Sequence, residues 1–269
     1  MTQMKVSLII STYNRPDALL ICLASIKNQS LKPDEVIIGD DGSTPETKKL
    51  IDEFKKDFFI PIYHIWQEDQ GFRLAKMRNK CVAQASGEYI IEVDGDVFFH
   101  RHFIRDHIAL SREGCYVKGV RVNLGKKLTE SICTSKRVLN IYPWSFGIEK
   151  KRENGFYFKR LALFLAPRYR KNVSQGLGCN MSFWKSDYIK INGYDEYFEG
   201  WGGEDDDFAN RLLRSGCKKR YMKFAGIVYH LWHEEKFMQN KERNKNYLNQ
   251  NNKEQTIWCD HGVDQYLEK

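Results

Sequence analysis

The first hundred residues alternate between strand-like and helix-like segments, and this alternation restricts the fold more than any other feature of the sequence. Val6 to Ile10 is a short, nearly continuous apolar run, as expected of a buried strand. Pro16 follows where the first turn of a helix accepts proline. The pattern then predicts strands at residues 35–39, 60–66 and 88–93, and helices at residues 46–56 and 74–85. Repeated βα units of this length imply parallel strands joined by right-handed crossovers.

The predicted fold class is therefore α/β, with a mostly parallel, Rossmann-like sheet flanked by helices in a single domain. Ligands of such sheets bind beyond the carboxyl ends of the strands. Three polar clusters lie at these ends, at residues 11–15, 40–43 and 94–96. Their convergence on one edge of the sheet is the first indication of a functional site.

Asp94 and Asp96 bracket a glycine directly after a buried-looking strand. Two carboxylates in a tight turn can present oxygen atoms to one hard cation. A turn with two solvated acids is the alternative for an isolated tripeptide of this kind. The strand in front of the turn favours the cation site.

The most specific stretch is Gly200 to Phe208, where glycines and a tryptophan precede four successive acids. One or two acids would satisfy a helix N-terminus, so four exceed what capping requires. Mutual repulsion raises the pKa of some of these carboxylates, while the helix end opposes that shift. A carboxylate tuned in this way can remove a proton from a sugar hydroxyl. The glycines leave Trp201 free to move or to lie flat against a sugar ring.

His230 and His233 follow a strand-like run at residues 226–228. Three residues apart, they can share a face and supply a neutral imidazole to a metal ion. A purely structural hydrogen bond is the alternative for each. Arg73 and Arg78 place cations near the same sheet end, where arginine suits phosphate oxygens; a solvated arginine is the alternative for each.

The net charge of +8 favours an anionic partner, but acidic lipid, nucleic acid and phosphorylated substrate all fit that description. Basic and aromatic residues concentrate in residues 150–171. This segment is interpreted in three ways: it rests on an anionic membrane, grips a phosphate of the acceptor, or is a solvated connection. The seven scattered cysteines include no CxxC pair, which argues for reduced thiols. With neither a secretory signal nor an apolar run of about 18 residues, the expected location is the cytoplasm, with contact at the inner face of the membrane.

Together these motifs resemble family 2 of the inverting glycosyltransferases, which have the GT-A fold, over roughly residues 5–235. The resemblance implies that Asp96 of the Asp94–Asp96 motif is the direct metal ligand. It also implies that Ser11 and Tyr13 contact the nucleoside and that Asp41 binds the uracil ring. By the same match Arg78 lies on the diphosphate side, and Asn79 is structural. The nucleotide-sugar-binding residues predicted in this way are Ser11, Tyr13, Arg15, Asp41, Arg73, Arg78, Asp94 and Asp96.

The second half is similar to the β-1,4-galactosyltransferases and the bacterial chondroitin-type polymerases. This likeness implies that Asp205 is the catalytic base and that His233 or His230 completes the metal site; which imidazole binds stays open. The residues that it implies for the acceptor are Trp201, Gly203, Glu204 and Asp206. Residues 115–175 match no pattern, and acceptor choice is expected to reside there.

The predicted catalytic domain spans residues 1–235, with a nucleotide-sugar half at about 1–114 and an acceptor half at about 176–235. Residues 236–269 are predicted to be a loosely packed C-terminal extension. The expected reaction is a metal-dependent transfer of a hexose or N-acetylhexosamine from a UDP-sugar to a glycan or lipid-linked acceptor, with inversion. The expected cofactor is Mn²⁺ or Mg²⁺, and no nucleic acid is expected as a partner. A retaining transferase and a non-catalytic nucleotide- or glycan-binding module are the alternatives.

Overall fold

The computed structural model describes residues 4–168, 176–234 and 239–268. The strands are β1 Val6–Thr12, β2 Glu35–Asp40, β3 Ile62–Trp66, β4 Tyr89–Asp94, β5 Val97–Phe99, β6 Cys115–Lys118, β7 Val120–Leu124, β8 Ile148–Lys150, β9 Met181–Trp184, β10 Lys218–Tyr221 and β11 Ile227–His230. The α-helices are α1 Pro16–Lys27, α2 Pro45–Lys56, α3 Leu74–Gln84, α4 Phe103–Leu110, α5 Lys126–Ser135, α6 Lys159–Leu165, α7 Lys185–Lys190, α8 Glu204–Arg214 and α9 Lys241–Glu254. The βα alternation predicted for the first hundred residues is confirmed.

Within the described residues, seven strands form one sheet in the order β10-β6-β9-β4-β1-β2-β3. The central strand β1 runs parallel to β2 and β4, and β2 runs parallel to β3. Only β9 is antiparallel to its neighbours in this sheet, so the prediction of a mostly parallel sheet is confirmed. Alternate residues of β1 enter different cores: Leu8 and Ile10 pack into one and Ile9 into the other. Both faces of the strand are covered, which explains its continuous apolar run.

A second sheet, with the order β5-β11-β7-β8, was not predicted from the sequence. Its strands are three to five residues long. β11 is parallel to β7 and antiparallel to β5. Local sequence indicated one of these strands, the run at residues 226–228 that overlaps β11. The others escaped because such short strands carry little periodic pattern and pair with distant parts of the chain.

The C-terminal segment is packed against the domain, so the expectation of a loosely packed end is wrong for residues 239–268. Asn251 on α9 is buried and donates from Nδ2 to Asp207 at 2.9 Å. Tyr247 donates its hydroxyl to Asp195 at 2.8 Å, and Val263 is fully buried. The polar composition suggested exposure, but these polar groups are hydrogen-bonded in the interior. The domain boundaries near residues 114, 176 and 235 stay predictions.

No helix among the described residues has both the length and the apolar character needed to cross a bilayer.

Candidate active site

The three polar clusters meet at one edge of the seven-stranded sheet. Ser11, near the end of β1, is in register with Asp94 on β4 and with Gly39 on β2. The backbone N–H of Asp41 donates to the carbonyl of Thr12 at 3.1 Å. Sheet pairing therefore places the ends of the three strands side by side, as parallel topology requires.

Asp96, His230 and His233 form a cluster whose candidate ligand atoms all lie within 4.8 Å of one another. Oδ2 of Asp96 is 3.5 Å from Nε2 of His230 and 3.1 Å from Nε2 of His233. Strand pairing explains the meeting: Val97, the residue after Asp96, is in register with His230. The backbone N–H of Leu231 also donates to the carbonyl of Asp96 at 2.9 Å. The structure thus brings both candidate histidines to the predicted carboxylate ligand.

The donor set of this cluster fits a divalent cation. Oδ1 of Asp96 is buried and has no hydrogen-bond partner among the described residues. Burial works to raise the pKa of Asp96, but the two histidines outweigh it and lower the pKa to about 2, so the carboxylate is charged. Burial lowers the pKa of His230, which favours the neutral imidazole that binds metals. The hydrogen bond between Nε2 of His233 and Asp96 raises the pKa of His233. Nδ1 of His233 lies 3.1 Å from the carbonyl of Glu234, and a proton donated there would leave Nε2 as the atom available to a cation.

Arg78 is a buried cation beside the predicted catalytic base. It is 1% exposed, and its guanidinium contacts three carboxylates. Nε lies 3.3 Å from Glu92, Nη2 lies 3.2 Å from Asp94, and Nη1 lies 2.7 Å from Asp205. One buried cation therefore joins the Asp94–Asp96 motif to the predicted catalytic base. The predicted contact between Arg78 and the donor diphosphate stays a prediction, since its guanidinium faces protein carboxylates.

Asp205 is held through both carboxylate oxygens. Oδ1 accepts from Arg78, and Oδ2 accepts from the backbone N–H of Gly178 at 2.7 Å. A side chain at position 178 would not fit: a Cβ there would lie 2.1 Å from Nη2 of Arg78 and 2.5 Å from Oδ1 of Asp205. Gly178 therefore permits the close approach that fixes the carboxylate. Asp205 is still 29% exposed, so the site can be reached.

The residues beside Asp205 lie in different surroundings. Burial, followed by the charge of Asp205, raises the pKa of Glu204 to about 8. Oε2 of Glu204 is buried with no hydrogen-bond partner among the described residues. Asp206 accepts a hydrogen bond from the backbone N–H of Gly176 at 3.0 Å.

Trp201 lies in the loop that leads into α8 and is 44% exposed, with Nζ of Lys241 5.2 Å from the centre of its ring. Gly203, the last residue before the helix, has φ +100°, a left-handed conformation that glycine adopts without strain. The loop that leads into α8 thus presents an indole ring to solvent.

The predicted nucleoside residues lie along the β1 and β2 ends. Ser11 is buried and its Oγ has no hydrogen-bond partner among the described residues. The hydroxyl of Tyr13 donates to Asp69 at 2.9 Å. The carboxylate of Asp41 is buried and accepts from the backbone N–H of Arg73 at 2.7 Å and from the side chain of Gln67. These contacts fix Asp41 at the base of the turn, near the half-buried ring of Tyr13.

The two remaining donor-side arginines make contacts with neighbouring residues. Nε of Arg15 lies 3.1 Å from Asp17. Nη1 of Arg73 donates to Gln70 at 2.8 Å, and Nη2 donates to the carbonyl of Glu68. Both side chains are at the rim of the site, close to the carboxyl ends of the strands.

Sequence reasoning missed two charged residues of the site, Glu92 and Arg121. Burial raises the pKa of Glu92 to about 7 even though Arg78 adjoins it, and Tyr194 donates its hydroxyl to Glu92 at 2.7 Å. Although burial works against its charge, Cys179, Asp94 and Asp96 raise the pKa of Arg121. Each lies in an otherwise apolar strand-like run, and a charged residue in such a run is the signal that could have found it.

Comparison with known proteins identifies the family. A family model described as glycosyl transferase family 2 matches residues 7–165, which is more than half of the chain. The chain belongs to glycosyltransferase family 2. A second model, described as the N-terminal domain of galactosyltransferase, matches residues 159–234. The second match covers α8 and the histidine pair and confirms the galactosyltransferase-like character of this half.

Individual relatives of this family 2 chain agree with the assignment. Chondroitin synthase of Escherichia coli is 28% identical over 239 residues, which are 83% of this chain and 34% of that protein. The chain therefore spans about a third of the length of this curated relative. The S. aureus TarS structure (residues 1–349) matches with a TM-score of 0.65 at 16% identity, covering 98% of this chain and 68% of that one. GalNAc-T7 with UDP, GalNAc and Mn²⁺ matches with a TM-score of 0.62 at 16% identity, over 87% of this chain and 45% of that one. These structural likenesses show the GT-A fold.

Proposed function

We propose that the chain is an inverting transferase that moves a hexose or N-acetylhexosamine from a UDP-sugar to a glycan or lipid-linked acceptor in cell-surface polysaccharide synthesis. The observation that carries the proposal is the bridge by Arg78 between Asp205 and Asp94, two residues before the Asp96 cluster. The proposed proton acceptor and the candidate metal site therefore both lie near the end of β4. The chondroitin synthase relative and the UDP-bound GalNAc-T7 structure support the choice of acceptor and donor classes.

Asp96, His230 and His233 would hold Mn²⁺ or Mg²⁺. When bound there, the cation supplies positive charge next to the leaving diphosphate. Mn²⁺ in the GalNAc-T7 structure supports this choice of ion. The positive charges of Arg121 and Arg15 act on Asp96 and would help to stabilise the charge of the leaving diphosphate.

The donor would lie along the ends of β1, β2 and β4. In this proposal Ser11, Tyr13 and Asp41 contact the nucleoside, and Arg73 contributes at the rim. The unpartnered Oγ of Ser11 supports a contact there, because buried hydroxyls normally have a hydrogen-bond partner. Arg78 acts from beneath by holding Asp94 and Asp205.

Asp205 would take the proton from the acceptor hydroxyl as that oxygen attacks the anomeric carbon. The contacts from Arg78 and Gly178 fix its two oxygens and leave lone pairs for the incoming hydroxyl. Attack from the face opposite the diphosphate inverts the anomeric centre. Trp201, Gly203, Glu204 and Asp206 would form the acceptor side. With its pKa of about 8, Glu204 is largely protonated at neutral pH and can donate a hydrogen bond to the acceptor.

The proposal is tested by screening UDP-sugars for UDP release with Mn²⁺, with Mg²⁺ and with a chelator. We expect one UDP-hexose or UDP-N-acetylhexosamine to be hydrolysed slowly without acceptor, and only with metal. Saturable UDP binding without release of UDP from any sugar would instead indicate a non-catalytic module. Once an acceptor is found, the anomeric configuration of the product by NMR separates inversion from retention.

A further inference from the structure

The strongest concentration of charge and exposed apolar surface lies outside the site, in residues 136–168. This stretch has eight basic and two acidic residues, so it carries a net +6 of the chain's +8. Among the described residues it also holds half of the large hydrophobic side chains that are exposed. These are Leu139, Tyr142, Trp144, Phe146, Phe156, Phe158, Leu161 and Phe164. We call this region the aromatic-basic surface.

Local contacts hold the parts of the aromatic-basic surface together. Arg152 donates from Nη1 to the carbonyls of Pro143 and Ser145, at 2.8 and 3.0 Å, and so ties the loop that carries Trp144 to the turn after β8. The rings of Tyr142 and Trp144 stack with centroids 5.3 Å apart. This fixed geometry, with Phe146 96% exposed, leaves indole and phenyl rings directed into solvent.

Helix α6 extends this surface: it turns small residues to the core and large apolar residues to solvent. Ala162 and Ala166, just after the helix, face the core, whereas the larger Leu161 and Phe164 are exposed. Arg160 is exposed beside them, and the guanidinium of Arg168 lies 4.1 Å from the centre of the Phe164 ring. Small residues inside and large apolar residues with cations outside are typical of a helix that lies at an interface between water and lipid.

The aromatic-basic surface begins at the edge of the site. Across the four-stranded sheet, His230 on β11 is in register with Asn123 on β7, and Asn123 is in register with Lys150 on β8. Lys150 is thus two strands away from a candidate metal ligand, roughly 10 Å at the usual strand spacing. Whatever covers this surface lies next to the reaction site.

We propose that the aromatic-basic surface docks the enzyme on a bilayer that contains anionic lipid, with the rings at the headgroup level and the lysines and arginines on the lipid charges. The local charge complements such a membrane, and each basic residue near it strengthens binding about fivefold. Exposed Phe, Trp and Leu side chains gain from entering the acyl boundary, a gain that a nucleic-acid backbone does not offer. This inference does not depend on which sugar is transferred. Tyr169, Arg170 and Lys171 of the segment predicted from the sequence lie outside the described residues.

The test is flotation of the full chain with phosphatidylcholine vesicles that contain or lack phosphatidylglycerol, at low and high salt. We expect binding only to the anionic vesicles and a loss of binding at high salt. Lys150→Glu with Arg160→Glu should weaken partitioning more than about tenfold, since each lost cation is worth about fivefold. Trp144→Ser with Phe146→Ser should weaken it even at low salt.

Matched controls lie beside the edge strand β3, at the other end of the strand order from β6 and β10, against which α6 packs. Phe59 is 94% exposed and Lys49 is exposed on α2, so Phe59→Ser and Lys49→Glu should leave partitioning near the parental value. Melting temperatures verify that every variant is folded. The proposal is overturned if the parental chain does not float with anionic vesicles, or if control and surface variants lose binding equally. It is also overturned if the surface variants change only the oligomeric state or only the binding of an oligonucleotide.

Discussion

The first turn of α8 presents two aspartates, two positions apart, in opposite circumstances. Asp205 is 29% exposed and is held by Arg78 and the N–H of Gly178. Asp207 is 1% exposed and accepts from Nε of Arg211 at 2.7 Å and from Asn251 at 2.9 Å. Both have a buried arginine partner, yet only Asp205 keeps a side open to solvent.

The four successive acids at the start of α8 are therefore not a single functional unit. A helix turns about 100° per residue, so residues two apart point in nearly opposite directions. The outward carboxylate is suited to take a proton, and the inward carboxylate anchors α8 to α9. Activity and stability should therefore respond separately to changes at the two positions.

The largest expected effect is on Asp205. Asp205→Asn should lower turnover by about 10²–10⁴-fold, because the positioned proton acceptor is lost, and leave UDP affinity near the parental value. Asp207→Asn removes the charged partner of the buried Arg211 and should lower the melting temperature. Turnover per folded molecule should change little. Initial rates and thermal melts measure both. If the Asp205→Asn protein turned over at the parental rate, Asp205 would not be the catalytic base.

Next in size is the pair of buried arginines. Arg78→Lys keeps a positive charge but cannot hold Asp94 and Asp205 at once, so turnover should fall by about 10²-fold through a misplaced base. Arg211→Lys is the matched control and should lower stability alone. Kinetics on the folded fraction separate the two outcomes. If both variants lost activity in proportion to their stability, Arg78 would be a structural residue only.

Removal of a candidate metal ligand should weaken metal-dependent binding of the donor nucleotide and leave the proposed base in place. His230→Ala and His233→Ala should each raise the Mn²⁺ concentration required for UDP binding by about tenfold or more. Calorimetric titration of UDP at fixed Mn²⁺ concentrations measures this change. An effect of only one substitution would identify which imidazole binds. No effect of either would show that the Asp96 cluster is not the metal site.

The smallest expected effect concerns Glu204 and pH. Its pKa is about 8 in the folded chain against an ordinary value of 4.5, so the unfolded chain releases this proton first as pH rises. The free energy of unfolding should therefore decrease between about pH 4.5 and pH 8. Glu204→Gln should make the melting temperature decline less over that range than in the parental chain. Glu53→Gln, on the exposed side of α2, is the control and should decline as the parental chain does; identical curves for all three would contradict the assigned shift.

The large sheet and its polar edge could be predicted from sequence because their pattern is local. Each long strand of the first half carries its own apolar run, and each polar cluster follows directly on its strand. The pairing of Val97 with His230 joins segments far apart in the chain, so only the family resemblance suggested that Asp96 and the histidines meet. The contact between Asp205 and Arg78 could not be predicted either, because the two residues are 127 positions apart and no periodicity relates them.

The most direct test of the account is a crystal structure of the Asp205→Asn protein with Mn²⁺ and UDP, with the ion located by its anomalous signal. We expect an anomalous peak within about 2.3 Å of an oxygen of Asp96 and of a nitrogen of at least one of the two imidazoles, with the diphosphate beside it. The side chain at position 205 should face the diphosphate. A peak held by other residues, or a position 205 turned away from the diphosphate, would contradict it.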